Sequence, residues 1–223
     1  MQPTIVSVSV NYADTLEIAG LSWKRLTPRV VVVTDNQDEH TAQVCKDLGF
    51  SLVRTDAFYE GGAPFNKGKA LSHLLSRCAG IFDASPGWIL HLDADIVIPE
   101  KTIDQLHRVV PDPTKLYGAP RFVVPSRYAI KQADPFIPYH TRLAYIPPDS
   151  AAFEHGLVRG YFQLYHTSQR KPYPERFQTA ETCDIQFAKQ WAERDRVVYM
   201  EQTAAYHLGP TVVNWLGRVS DPF

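Results

Sequence analysis

The sequence predicts an α/β protein with a mainly parallel sheet and helices on both faces. Three observations lead there. Short apolar runs alternate with amphipathic stretches along the first hundred residues, the order produced by a parallel sheet with crossover helices. One run, Val30-Val31-Val32-Val33, is continuously apolar, as a strand buried on both faces must be. Polar residues fall at or just past the expected strand ends, at Asn11, Asp35, Asp56, Asp93 and Asp95. In such sheets functional groups collect at the carboxyl ends of the strands.

The elements follow in order. Residues 4–10 alternate into a first strand that breaks at Asn11-Tyr12. Asp14, with Glu17 three residues later, resembles a capping box for a helix reaching residue 26. Residues 29–34 form the valine strand. Residues 38–48 read as a helix with Ala42, Val44, Cys45 and Leu48 apolar and Gly49 as its stop. Residues 50–54 are a third strand, and a loop holding Gly61-Gly62 leads to a helix over 67–78. A strand then runs from Trp88 into Asp93 and Asp95.

After Pro99 the character changes. Prolines are dense across 111–148, interleaved with Tyr117, Phe122, Tyr128, Phe136, Tyr139 and Tyr145. Residues 101–142 carry seven Lys/Arg against three Asp, a local basic excess. Proline breaks helices, so extended loops and a few strands are expected over the sheet. Residues 157–166 read as a strand, 180–193 as an amphipathic helix and 196–200 as a last strand. The whole, 1–223, is expected to form a single domain of two halves, 1–99 and 100–223.

Composition narrows the function class. The chain is 44% hydrophobic and 21% charged, as ordinary globular proteins are. A net charge of −1 supplies no overall attraction to nucleic acid or anionic membrane. No apolar run reaches the roughly 20 residues of a membrane span, and no basic-then-apolar leader opens the chain. Cys45, Cys78 and Cys183 have no metal-type spacing and read as reduced thiols of a cytoplasmic protein.

The chemistry centres on Asp93 and Asp95. Side chains at i and i+2 of an extended backbone share a face, so the two carboxylates are expected to project together. Two like charges beside a buried strand are costly without a cation between them. Hard oxygen donors suit magnesium, manganese or calcium; the plainer reading is two solvated aspartates at a strand-to-loop junction. The helix beginning at Lys67 offers amides and Lys67 or Lys69 to a phosphate, or simply exposes two lysines. Asp35 either offers its carboxylate to a ligand or forms a turn in Thr34-Asp35-Asn36, and Asp56 is similar. Arg159 and Gln163 are placed to bond hydroxyls and Tyr161 to stack on a ring, though plain strand alternation explains them equally. Trp215 either closes over a bound ligand or anchors the C-terminal segment. His91 reads as a packed strand histidine.

Three motifs carry a family resemblance. His91-Leu92-Asp93-Ala94-Asp95 matches an Asp-x-Asp metal motif at a strand end. Phe65-Asn66-Lys67-Gly68-Lys69-Ala70-Leu71 resembles a Lys-Gly-x-Ala-Leu helix start. Val32-Val33-Thr34-Asp35-Asn36 resembles a strand end whose acidic residue holds a nucleoside. Together these resemble the nucleotide-sugar glycosyltransferases of the GT-A fold, family-2-like, over roughly the first hundred residues.

The resemblance implies a Rossmann-like sheet, a nucleotide-sugar-binding half at 1–99, an acceptor-facing half at 100–223, and a UDP-hexose donor with Mn2+ or Mg2+. It implies Asp95 as direct metal ligand, Asp93 beside it on the metal or the sugar, and His207 completing the set. Asn11, Asp35, Asp56, Lys67, Lys69, Asp93 and Gln163 would then bind the donor. Asp184 matches the position of a catalytic base, which implies inversion, although Cys183 stands where the family places a second acid. The acceptor is open among glycan, small molecule, protein and nucleic acid. Two other classes stay in view. A nucleotidyltransferase would show a Gly-rich basic loop where this chain has Asn11-Tyr12-Ala13-Asp14. A non-catalytic sugar-nucleotide or glycan-binding module needs none of the acid chemistry.

Overall fold

A computed structural model describes residues 1–77, 87–124, 158–197, 204–209 and 214–218. Cys78, most of the proline-rich stretch and residues 198–200 lie outside the described residues, and with them the expectations placed there.

Strands β1 (Thr4–Val8), β2 (Val30–Thr34), β3 (Ser51–Arg54) and β4 (Trp88–Asp93) alternate with helices α1 (Ala13–Leu26), α2 (Glu39–Leu48) and α3 (Lys67–Arg77). These four strands pair in parallel in the order β3-β2-β1-β4. Strand β8 (Phe162–His166) joins β4 antiparallel. The two-residue strands β6 (Leu116–Tyr117) and β9 (Arg196–Val197) extend the sheet to seven strands. A second sheet of three strands pairs β5 (Ile96–Val97), β10 (Ala205–Leu208) and β7 (Arg121–Val124).

The valine run shows why helices cover both faces. Successive side chains of a strand point to opposite sides, so Val30 and Val32 join one core cluster while Val31 and Val33 join the other. On the first face they meet Leu16, Ala19 and Trp23 of α1, with Ile103 and Leu106 of helix α4 (Glu100–Arg108). On the second face lie Leu71 and Leu74 of α3 and Phe187 of helix α5 (Cys183–Ala188). Burying each such side chain contributes about 1.5–3 kcal/mol.

Several boundaries differ from the expectation. α2 begins after Asp38, whose carboxylate accepts from the Thr41 amide at 2.9 Å, and ends at Gly49 with φ 74°. α1 has no side-chain cap at Tyr12, and Asp14 pairs with Arg218 instead of closing a capping box. Helix α4 was not expected. Its apolar stripe is only Ile103 and Leu106, joined by buried Thr102, too sparse for periodicity to stand out. The helix expected over 180–193 is confined to the six residues of α5. No helix of the described residues is long and apolar enough to cross a membrane.

Candidate active site

The chain steps outward from β1 to β2 and β3, then returns to the other side of β1 with β4. A crevice therefore opens between the carboxyl ends of β1 and β4, where Val8 lies opposite Asp93. On the β1 side the backbone turns sharply at Asn11, a non-glycine residue at φ 61°. The Asn11 amide donates to Asp38 at 2.8 Å, and Asp38 also accepts from the Thr34 hydroxyl at 3.1 Å. One buried carboxylate thus ties the ends of β1 and β2 to the start of α2. Asp35 accepts from the Gln37 amide at 2.6 Å. Burial and the nearby Asp35 carboxylate push the Tyr59 phenol up to about 12. Asp56 is exposed beyond β3.

β4 ends at Asp93 and the chain turns through Ala94-Asp95; the two carboxylates take different partners while staying within electrostatic reach of each other. Asp93 accepts from the Lys67 ammonium at 2.8 Å. Asp95 lies against the second sheet, its Oδ2 3.3 Å from His207 Nε2. Backbone bonds fix this corner: the Leu208 amide donates to the Asp95 carbonyl at 2.8 Å. The Trp23 indole holds the Ile96 carbonyl, also at 2.8 Å. Burial raises the Asp95 carboxyl above its ordinary value, against the pull of His207, while Asp93 adds to the rise.

Lys67 reaches a second carboxylate, donating to Asp184 Oδ2 at 3.2 Å. Burial opposes its charge, but Asp184 and Asp93 together hold it well above the ordinary lysine value. Asp184 Oδ1 accepts from the buried Tyr173 hydroxyl. Gln163 donates to the Asp184 carbonyl at 3.0 Å and the Val158 carbonyl at 3.3 Å. Gln163 is fully buried, so it supports α5 from behind rather than facing the crevice. Gly160 makes room: a Cβ there would lie 1.9 Å from Asp184 Oδ2. Gly160→Ala is therefore expected to displace the Asp184 carboxylate and cost about 1–3 kcal/mol as overpacking. Urea denaturation checks it, and a loss under 0.5 kcal/mol (by the same scale) would contradict the packing described.

The first turn of α3 is not an open phosphate cradle. Asn66 caps it, accepting from the Lys69 amide at 2.8 Å and donating to the Glu175 carbonyl at 2.8 Å. The Pro174 carbonyl crosses so closely that a Cβ on Gly68 would lie 1.9 Å from it. Lys69 turns away to pair with Glu60. His91 is a packed histidine, bonded to the Tyr165 hydroxyl at 3.2 Å among Tyr173 and Phe187. Burial, then Lys67, lowers its pKa to about 3.

The donor set around Asp95 fits a hard divalent cation. Asp95 Oδ1 and His207 Nδ1 are buried without a hydrogen-bond partner. Two adjacent ligands of an octahedral ion lie about 3 Å apart, close to the observed Asp95–His207 separation. No group of three His, Cys, Asp or Glu gathers for a metal among the described residues. A two-ligand site is what magnesium-type ions use when substrate phosphates and water supply the rest.

Sequence reasoning missed Tyr173, Gly160, Asp38 and Tyr12. Tyr173 carries one signal, an aromatic between prolines in Lys171-Pro172-Tyr173-Pro174. It also passed over Arg121, whose guanidinium stacks 4.8 Å over Tyr161 and draws down both Asp93 and Asp95 after larger effects.

No protein-family model and no curated protein matches this sequence. Solved structures do. The chain resembles glucosyl-3-phosphoglycerate synthase from Mycobacterium tuberculosis in complex with Mn2+, uridine diphosphate and phosphoglyceric acid. The TM-score is 0.52 at 14% identity, over 91% of this chain and 69% of that one. Another structure of the M. tuberculosis synthase gives 0.51 at 14% identity, over 94% and 72%. The fold is the GT-A fold. The crevice between β1 and β4 lies at the point where the strand order reverses.

Proposed function

We propose that this chain is a metal-dependent glycosyltransferase moving a hexose from a UDP-linked donor to a hydroxyl acceptor with inversion. The observation that carries the reading is the division of three carboxylates: Asp95 beside His207, and Asp93 joined to Asp184 through Lys67. Asp95 and His207 would hold Mn2+ or Mg2+ against the diphosphate, and Asp93 would meet the sugar side of the donor. Asn11, Asp35 and Asp56 would line the nucleoside end. Lys67 serves this site by holding Asp93 and Asp184 in place, with Lys69 and Gln163 supporting the surrounding wall. The ligands of the M. tuberculosis synthase, Mn2+ and uridine diphosphate, agree with that donor class.

A bound cation would act as a Lewis acid, stabilising charge on the departing diphosphate. The Asp184 carboxylate takes the proton of the acceptor hydroxyl. The acceptor oxygen bonds to C1 of the hexose as the C1–phosphate oxygen bond breaks, and that electron pair leaves with UDP. The acceptor is a glycan, a small molecule, a protein or a nucleic acid; the M. tuberculosis synthase was solved with phosphoglyceric acid. Calorimetry of UDP with and without Mn2+ tests the reading on the wild type and Asp95→Ala. Binding is expected to need Mn2+ and to weaken about 10²-fold in the variant, the scale of a lost Lewis-acid contact. Equal binding in both proteins would remove Asp95 from the site, and no binding of any nucleoside diphosphate would sink the reading.

A further inference from the structure

The end of the described chain returns to the mouth of the crevice. Arg218 forms a two-pronged pair with Asp14 on the first turn of α1, the second contact at 3.0 Å. Both side chains are largely buried. The Arg218 guanidinium also lies 4.8 Å over the Tyr12 ring and donates to the Asn11 carbonyl at 3.2 Å. Asn11 returns the bond, donating to the Arg218 carbonyl at 3.2 Å. Asn214 donates to the Tyr12 hydroxyl at 2.8 Å. At the other side the Trp215 carbonyl accepts from the Ala180 amide at 2.9 Å. Gly217, at φ 87°, packs over Phe65 just before α3.

Residues 214–218 therefore strap the nucleoside end of the crevice to the segment that leads into α5 and Asp184. Tyr12, gripped by this strap, lies within electrostatic reach of Asp95 and Asp93. Trp215 stands half-exposed at the turn of the strap, with Leu216 exposed beside it. A buried bidentate arginine pair is stronger and more directional than a surface one. Its place 204 residues apart in sequence means that it fixes a tertiary position and not a local turn.

We propose that Asp14 and Arg218 are positioning residues for donor binding, latching the 214–218 strap so that Tyr12 and Asn11 form the nucleoside wall. This rests on the donor reading above. Closing the wall before the donor arrives removes an ordering cost from binding, so the latch acts on affinity more than on turnover.

The test is UDP binding with Mn2+ by calorimetry on the wild type, Asp14→Asn, Arg218→Lys and Arg218→Ala. Circular dichroism confirms folding, and Asp14→Asn, which keeps the side-chain shape, stands in if Arg218→Ala does not fold. Expected are a roughly tenfold weakening in Asp14→Asn and Arg218→Ala, about 1.4 kcal/mol, and an intermediate loss in Arg218→Lys. Tryptophan emission should change on adding UDP with Mn2+ and lose that change in Trp215→Phe. Folded variants that keep wild-type affinity within twofold would overturn the latch while leaving the donor reading intact. A wild type that binds no UDP with Mn2+ would overturn the donor reading and the latch with it.

Discussion

Asp184→Asn is expected to cut turnover by about 10²–10⁴, the usual worth of a general base, measured as UDP release from UDP-hexose. Affinity for UDP with Mn2+ should stay within threefold, because the carboxylate touches Lys67 and Tyr173, not Asp95 or His207. That split between turnover and donor affinity distinguishes a base from a structural acid. The structure says why the group is held so firmly. Both oxygens are engaged by protein donors, one by Lys67 and one by Tyr173, and the helix behind is tied by Gln163. Each oxygen keeps a further lone pair for the acceptor hydroxyl. Turnover reduced less than tenfold would remove Asp184 as the base.

Lys67→Met is expected to be the most damaging change to stability. It leaves Asp93 and Asp184 without their shared cation. Breaking a buried pair costs about 3–5 kcal/mol. Asp93 is 37% and Asp184 19% exposed, so water screens part of the loss and about 2–4 kcal/mol is the discounted figure. Urea denaturation at neutral pH measures it, and Lys67→Met with Asp184→Asn should recover part of the loss.

The acid dependence has a defined sign. Burial alone would raise the Asp93 carboxyl, but Lys67 outweighs it and holds the group below its ordinary 3.8. The stability from this contact is therefore present above the unfolded value and is lost as pH falls through the lower folded one. The gap between wild type and Lys67→Met should narrow below about pH 4, the ordinary carboxylate range. The lysine side behaves oppositely: its folded pKa is raised, so its contribution holds below the unfolded value and fades only as pH rises through the folded one. A gap that stays constant from pH 7 to pH 3 (a range spanning the ordinary carboxylate value) would rule out an ionised Asp93 as the partner.

The alternation from β1 to β4, the stop at Gly49 and the acidic end of β4 were all legible in the chain itself. Each is a local matter: backbone dihedrals, side-chain period and capping chemistry act over a few residues. Tertiary structure decided the pairings. Lys67 meets Asp184 from 117 residues away, and Asp14 meets Arg218 from 204. No local pattern announces such partners, because they depend on strand order and on which segment crosses which strand end. The same reason decides the partners of Asp93 and Asp95: the turn after β4 and the β5–β10 pairing bring Lys67 to the first and His207 to the second. Residue types and spacing thus determined which groups reach the carboxyl edge of the sheet. Only the packing of distant segments decided which of them touch, since a charge taken from water settles where a partner is brought to it.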